Sequence, residues 1–391
     1  MESKFDRQIL RENTRSVKWD LVKTLYGSND VLPMWVADMD FLVPEEIKKA
    51  LIKRAAHGVF GYTFTDPALN KLVTNWLEER FQWKVSAASI MYSPGVIPTL
   101  NMAIQAFTKM EDKILIQTPV YPPFHDSITN NNRQVVENPL ILKGAKYEID
   151  FEDMENKLRD GVKAFVLCNP HNPVGRVWTL EELTKMAELC NKYDVLIISD
   201  EIHADIVYAG HRHVPIASID PELKNRTITC LSPTKTFNLA GLQVSYAVVE
   251  NEEMRSQLEK TFHKNGLHMI NTMGITALEV AYQHGHKWVD ELVQYLETNV
   301  ELVEYSFANT NVRVIKPEGT YLIWLDFRAL GLEHEELKDW LVKSAKVALN
   351  DGITYGKAGE GFMRLNIAAP NSVVTQAVHR IKQALRDVAN D

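Results

Sequence analysis

Between about residue 85 and residue 250, short apolar runs alternate with amphipathic stretches, and this alternation constrains the fold more than any other feature of the 391-residue chain. Four runs read as strands: Ile114-Leu115-Ile116, Ala164-Phe165-Val166-Leu167-Cys168, Val195-Leu196-Ile197-Ile198 and Thr227-Ile228-Thr229-Cys230-Leu231. Strands that take turns with helical stretches build an α/β fold with a mostly parallel central sheet and helices on both faces. Each run is followed at once by polar, proline-rich or chemically distinctive residues. Doubly wound sheets place their ligands there, beyond the carboxyl ends of the strands. One crossover helix is plain, because Thr179 and Glu182 form a capping box and Leu180, Leu183, Met186, Ala187 and Cys190 recur at helical spacing. A second is expected over Pro98 to Phe107, just after Ser93-Pro94-Gly95-Val96-Ile97. Proline suits a first helical turn, and the free N–H groups of a helix start bind phosphate well.

From about residue 286 the texture changes. A helical stretch from Lys287 to Ala308 leads to Leu322-Ile323-Trp324-Leu325-Asp326, a further helical stretch to about Ala345, and Phe362-Met363-Arg364-Leu365-Asn366-Ile367. This pattern predicts a smaller α+β domain made of residues 1–45 and 286–391, beside a large domain of residues 46–285. No internal repeat or Gly/Ser linker separates them, so tight packing with a cleft between the lobes is expected. A formal charge of −8 offers no basic face for nucleic acid. No apolar run approaches the roughly 20 residues that span a bilayer. The start, Met1-Glu2-Ser3-Lys4-Phe5-Asp6-Arg7, is mixed in charge and lacks the apolar segment of a secretory signal. Cys168, Cys190 and Cys230 are widely spaced within apolar patterns, which predicts buried reduced thiols and a cytoplasmic location.

The chemistry concentrates on three residues. Lys235 lies in Ser232-Pro233-Thr234-Lys235-Thr236-Phe237, Asp200 in Ser199-Asp200-Glu201-Ile202-His203, and Asn172 in Asn169-Pro170-His171-Asn172-Pro173. An amine, a carboxylate and an amide, each set after an apolar run, suit pyridoxal 5′-phosphate (PLP). The amine would form a Schiff base, the carboxylate would keep the ring nitrogen protonated, and the amide would bond the ring hydroxyl. The flanks of Lys235, from Leu231 to Leu242, are too apolar for a solvated surface lysine. Asp200 follows four apolar residues, so its charge needs a cationic partner. In 362–367, alternation sets Met363, Leu365 and Ile367 on one face and Arg364 with Asn366 on the other. An arginine there is either on a wet face or a planar fork for a carboxylate. Trp35 and Asp38 read as structural. The pairs His211/His213 and His284/His286 lack Cys or carboxylates at ligand spacing, so no metal is expected. Residues 356–361, glycine-rich but neither after a strand nor before a helix, read as a loop leading to Arg364.

With these residues in view, the chain resembles fold-type I PLP enzymes, the PLP-transferase fold, over essentially its whole length. More narrowly, it is similar to the MalY/PatB-type cystathionine β-lyases within the class I/II aminotransferase superfamily. Four segments carry that likeness: Met34-Trp35-Val36-Ala37-Asp38-Met39-Asp40-Phe41, Phe60-Gly61-Tyr62-Thr63, Asp200-Glu201-Ile202-His203-Ala204-Asp205 and Gly359-Glu360-Gly361-Phe362-Met363-Arg364-Leu365-Asn366. The resemblance makes Lys235 the Schiff-base lysine, Asp200 the partner of the ring nitrogen and Asn172 a ligand of the ring oxygen, with His203 near that oxygen. Tyr121 becomes the aromatic stacked on the ring and a candidate aid to the departing thiolate. Gly95, Val96, Ile97, Ser232 and Thr234 form the phosphate site. Tyr62 reaches the phosphate of a neighbouring subunit, which implies a homodimer with shared active sites. Arg364 grips the substrate α-carboxylate. One departure stands out: Gln243 occupies the place where many aminotransferases pair an arginine with the phosphate. An amide brings no countercharge, so the phosphate should lean on backbone N–H groups, the helix start and Tyr62.

The implied activity is α,β-elimination on a small sulfur amino acid, cystathionine, cysteine or a related S-substituted cysteine, giving a thiol, pyruvate and ammonia. Two alternatives stay open. One is an aminotransferase that uses the same cofactor. The other is a protein that keeps the fold for a regulatory or protein-binding role.

Overall fold

In the computed structural model, which describes residues 3–388, a seven-stranded sheet forms the centre of the molecule. Met1 and Glu2 of the mixed-charge start, and residues 389–391 at the other end, lie outside the described residues. Across the sheet the strands run Ile90–Ser93, Ser245–Val248, Thr227–Leu231, Leu196–Asp200, Ala164–Cys168, Lys113–Ile116 and Gln134–Glu137. Ser245–Val248 is antiparallel to both of its neighbours, and every other pairing is parallel. The mostly parallel sheet expected from the apolar runs is therefore present. Ala164–Cys168 and Thr227–Leu231 are buried along their whole length. Their continuous apolar runs suit strands covered on both faces. Register brings Cys168, Asp200 and Cys230 side by side, so several strand ends share one edge.

The helices that cover the sheet begin where local chemistry directs. Leu180–Lys192 carries the expected capping box, in which the Thr179 hydroxyl accepts from the Glu182 amide at 3.2 Å. In return the Glu182 carboxylate accepts from the Thr179 amide at 2.8 Å. Leu183, Met186, Ala187 and Cys190 are buried, but Leu180 is 56% exposed. It opens the first turn, before the helix settles onto the sheet. The helix expected from Pro98 starts two residues earlier, as Val96–Phe107. Gly95 is its N-cap and contributes no side chain, so the first N–H groups are left for another partner.

A second, antiparallel sheet runs in the order Arg313–Ile315, Leu322–Asp326, Phe362–Asn366 and Asn350–Asp351. The N-terminal segment joins this region through Leu32–Pro33, which pairs in parallel with Val347–Ala348. The amide of Asn366 donates to the Met34 carbonyl at 2.9 Å, and that of Asp40 to the Ala368 carbonyl at 2.8 Å. Phe362–Asn366 is buried throughout, which excludes the wet-face alternative for Arg364. The polar face of this strand is covered by residues 35–38 and by Asn172.

Residues 35–41 are clamped from the other side by charges, of which Lys18 and Asp40 are buried. Lys18, with no exposed surface, places Nζ 2.6 Å from Asp40 Oδ2. Arg11 reaches Asp38 Oδ2 and Asp40 Oδ1, each at 2.6 Å, and Trp19 Nε1 donates to Asp40 Oδ1 at 3.0 Å. Burial pushes the Asp40 carboxyl up, but Lys18, Trp19 and Arg11 outweigh it and hold the group below the ordinary range. Stability drawn from this group is present above the unfolded-state pKa and is lost as pH falls through the folded one. Lys18→Ala leaves the Asp40 charge buried and short of a partner, so a loss of about 3–5 kcal/mol in urea unfolding is expected. A loss below about 1 kcal/mol, within the range of an exposed pair, would contradict the clamp.

Candidate active site

The site is assembled from the ends of the central strands. Thr227–Leu231 runs out at Ser232, which caps the short helix Pro233–Thr236 by accepting from the Thr234 amide at 3.0 Å. This turn carries Lys235 into a cavity of about 190 Å³. The neighbouring strand delivers Asp200 at its last residue. Four residues past the end of the next strand, the loop beyond Cys168 presents Asn172. The start of Val96–Phe107 brings Gly95, Val96 and Ile97 to the same cavity, with Thr234 and Gln243. Tyr121 and His203 complete the predicted residues that line it.

Three expected residues stand elsewhere. The Ser232 hydroxyl is committed to the chain, donating to the Val244 carbonyl at 2.7 Å and lying 2.7 Å from Thr234 Oγ1. Tyr62 is 95% exposed on the loop that follows Glu45–Ala56. Arg364, only 2% exposed, lies behind Asn172, and its Nη1 donates to Asn172 Oδ1 at 3.0 Å. Its Nη2 donates to the Trp35 carbonyl at 2.9 Å, while Nε is buried with no partner.

Burial sets the protonation of each group. The Lys235 amine is lowered to about 8 by burial and by the Arg364 guanidinium, against the opposing pull of Asp38 and Asp200. A usable fraction of free amine therefore exists near neutral pH. Asp200 is pushed up to about 7 by burial, in spite of the Ile202 amide, which donates to it at 3.1 Å, and of Lys235. A buried carboxyl so placed gains most from a cation brought beside it. His203 is held well below its ordinary value by burial, then by Lys235 and Arg364, so its imidazole is neutral. Its Nδ1 is buried without a partner. Cys168 touches the cavity as an inert thiol, since burial and Asp200 hold it far above the usual range. The three cysteines are all buried and free.

These residues fit PLP. The amine could bond an aldehyde, the carboxyl needs a cation, the uncapped helix start offers N–H groups to a phosphate, and Arg364 Nε lacks an acceptor. A larger cavity of about 870 Å³ lies between Tyr26, Trp35, Val342 and Asp351, but neither Lys235 nor Asp200 reaches it. Volume alone does not mark the site; the convergence of perturbed groups does. Among the described residues no group of three or more His, Cys, Asp or Glu is arranged to hold a metal. His213 pairs with Glu201 at 2.8 Å and His286 with Glu79 at 3.1 Å.

Sequence reasoning missed three members of the site. The Ala37 carbonyl accepts from Lys235 Nζ at 2.6 Å, and the buried Tyr321 hydroxyl donates to the same oxygen at 3.0 Å. Tyr355 is buried beneath Arg364, with 5.2 Å from the guanidinium carbon to the ring centroid, and its hydroxyl accepts from Asn350 Nδ2 at 2.8 Å. A main-chain oxygen has no signature in a sequence. The two tyrosines come from separate turns with no spacing that ties them to Lys235.

The family model for aminotransferase class I and II matches residues 29–381. Cystathionine beta-lyase PatB of Bacillus subtilis (strain 168) is 46% identical over 385 residues, covering 97% of this chain and 99% of its own length. Protein MalY of Escherichia coli (strain K12) is 32% identical, covering 98% of this chain and 99% of its own. Among solved structures, cystalysin from Treponema denticola, which contains a pyridoxal 5′-phosphate cofactor, is 36% identical with a TM-score of 0.96, covering 99% of this chain and 100% of its own. With such likeness along the whole length of the fold, the chain belongs to the class I and II aminotransferase family, in the branch that includes PatB and MalY.

Proposed function

We propose that this protein is a PLP-dependent carbon–sulfur lyase that performs α,β-elimination on cystathionine, cysteine or related S-substituted cysteines. The observation that carries the reading is the full-length similarity to a cystathionine beta-lyase, combined with a cavity in which Lys235, Asp200, Asn172, His203 and Tyr121 converge. Lys235, Asp200, Asn172, His203 and Tyr121 would hold the pyridine ring and its aldehyde. Gly95, Val96, Ile97, Ser232 and Thr234 would hold the phosphate through N–H and hydroxyl groups. Gln243 would add no countercharge.

Bound there, PLP supplies an electron sink for the pair left when Cα loses its proton. The chain's own residues do the rest. Arg364 binds the α-carboxylate through its fork, with Asn172 and the Trp35 carbonyl holding the guanidinium in plane. Lys235, once its amine is free, takes the Cα proton, a task suited to a group lowered to about 8. Asp200, buried at the cavity wall, would keep its negative charge by pairing with the protonated ring nitrogen. Tyr121 is the candidate to protonate the departing sulfur. Cystathionine and one water then give homocysteine, pyruvate and ammonia; cysteine gives sulfide in place of homocysteine.

A homodimer is part of the reading. Val59, Phe60, Tyr62 and Phe64 stand exposed on one loop, an apolar run that a second copy would cover while Tyr62 reached its phosphate site. A cytoplasmic location fits three buried free cysteines, and no helix among the described residues is long and apolar enough to cross a membrane.

Lys235→Ala is expected to abolish the yellow absorbance of the bound cofactor and nearly all turnover; wild-type elimination by this variant would refute the assignment. Arg364→Ala should lower kcat/KM by about 30-fold or more, the loss of roughly 2 kcal/mol of charge-assisted bonding, while PLP stays bound. Unchanged kinetics would remove Arg364 from the substrate site. Incubated with cystathionine and no 2-oxo acid, the purified protein should release pyruvate and thiol in equal amounts. Turnover that requires an oxo acid, with amino transfer to it, would make the protein an aminotransferase. A preparation that binds no PLP and turns nothing over would favour the regulatory reading.

A further inference from the structure

Lys235 does not point its amine at open solvent. It donates to the Ala37 carbonyl at 2.6 Å, and Tyr321 donates to the same oxygen at 3.0 Å. A carbonyl has two lone pairs, so both are engaged. The oxygen is held rigidly. The Asp38 amide closes a tight turn onto the Val36 carbonyl at 2.9 Å, and Asn366 Nδ2 donates to the Val36 and Asp38 carbonyls. Arg364 fixes the Trp35 carbonyl, and Asn238 fixes Met39 through its amide and its carbonyl. Tyr321 is equally constrained, being 1% exposed with its ring packed edge-on against His203 at 5.6 Å.

We propose that the Ala37 carbonyl is the resting place of the Lys235 amine whenever that amine is not covalently engaged, and that Tyr321, by sharing this oxygen, is a positioning residue that keeps the amine loosely held and ready to act. The inference rests on the assignment of Lys235 as the PLP lysine. Two donors on one oxygen divide its acceptor strength. Without the tyrosine hydroxyl the full strength falls on Lys235, which favours the ammonium over the free amine. The charged and titratable groups that face this amine are Arg364, which opposes its charge, Asp38 and Asp200, which favour it, and neutral His203.

The test follows PLP capture by the full-length chain after removal of its cofactor, a reaction in which the lysine nitrogen bonds the aldehyde carbon and one water leaves. Its rate is measured against pH in the wild type, in Tyr321→Phe and in Tyr208→Phe. Tyr208 is a suitable comparison because its buried hydroxyl bonds the Thr320 carbonyl, next to Tyr321 but away from Ala37. Tyr321→Phe should move the midpoint of the profile upward by about half a unit or more, which slows capture at neutral pH about threefold. Tyr208→Phe should leave it in place. Replacing Tyr321 by 3-fluorotyrosine keeps the shape of the ring and strengthens the donor, so the midpoint should move downward. This second variant decides the matter should the phenylalanine form unfold. Profiles that superimpose, or an equal shift in Tyr208→Phe, overturn the role of Tyr321 alone. A wild-type chain that captures no PLP overturns the assignment of Lys235 beneath it.

Discussion

The main chain of residues 35–41 is the point on which the active site is built. Its carbonyls accept from Lys235, Tyr321, Arg364, Asn366 and Asn238, which arrive from three separate parts of the chain, and the Met39 amide donates to Asn238 in return. Buried main-chain groups must find partners, and here the partners are side chains rather than a sheet ladder. The segment would have no reason to hold this shape alone. Arg11, Lys18, Asp38 and Asp40 supply one, since each charge is satisfied only when the segment is in place. Buried ion pairs are weak sources of net stability, but they penalise any other arrangement heavily. Geometry, more than affinity, is what this network secures.

The electrostatics follow from depth. Asp200 and Lys235 both lie where water is scarce, and burial moves both toward neutrality from opposite directions, to about 7 and about 8. Each is destabilised as an isolated charge. A pyridine ring with an aldehyde relieves both conditions at once, by accepting the amine and by offering a proton-bearing nitrogen to the carboxyl. Arg364 is buried in the same way, with one N–H left unpaired that a carboxylate would satisfy. The charges of Asp200, Lys235 and Arg364 are thus complementary to a cofactor and an amino acid together.

Much of this was legible before any coordinates. The parallel sheet could be read because Ala164–Cys168 and Thr227–Leu231 are continuous apolar runs, and the residues after such runs had to meet at one edge. Lys235, Asp200 and Asn172 follow strand ends that lie side by side, which is why their order along the chain pointed to a shared cavity. Other features lay beyond sequence reading. Periodicity could not place the start of Val96–Phe107, because Val96 and Ile97 are as apolar as the turn that follows. Alternation found the two faces of Phe362–Asn366 but not that both are covered, since the cover comes from residues 35–38 and Asn172, far away in the chain. Leu180 kept helical spacing and still faces water, because the first turn of a helix need not lie against the sheet.

The alignment of strand ends also shapes how the molecule can change over evolutionary time. Adding one residue inside Leu196–Asp200 would reverse the direction of every side chain beyond it, so the interiors of these strands are closed to insertion. The loops past their ends carry no such parity. Lys235 and Asn172 stand on those loops as well, so a lineage can change the side chain it accepts only at loop positions that leave these two in place.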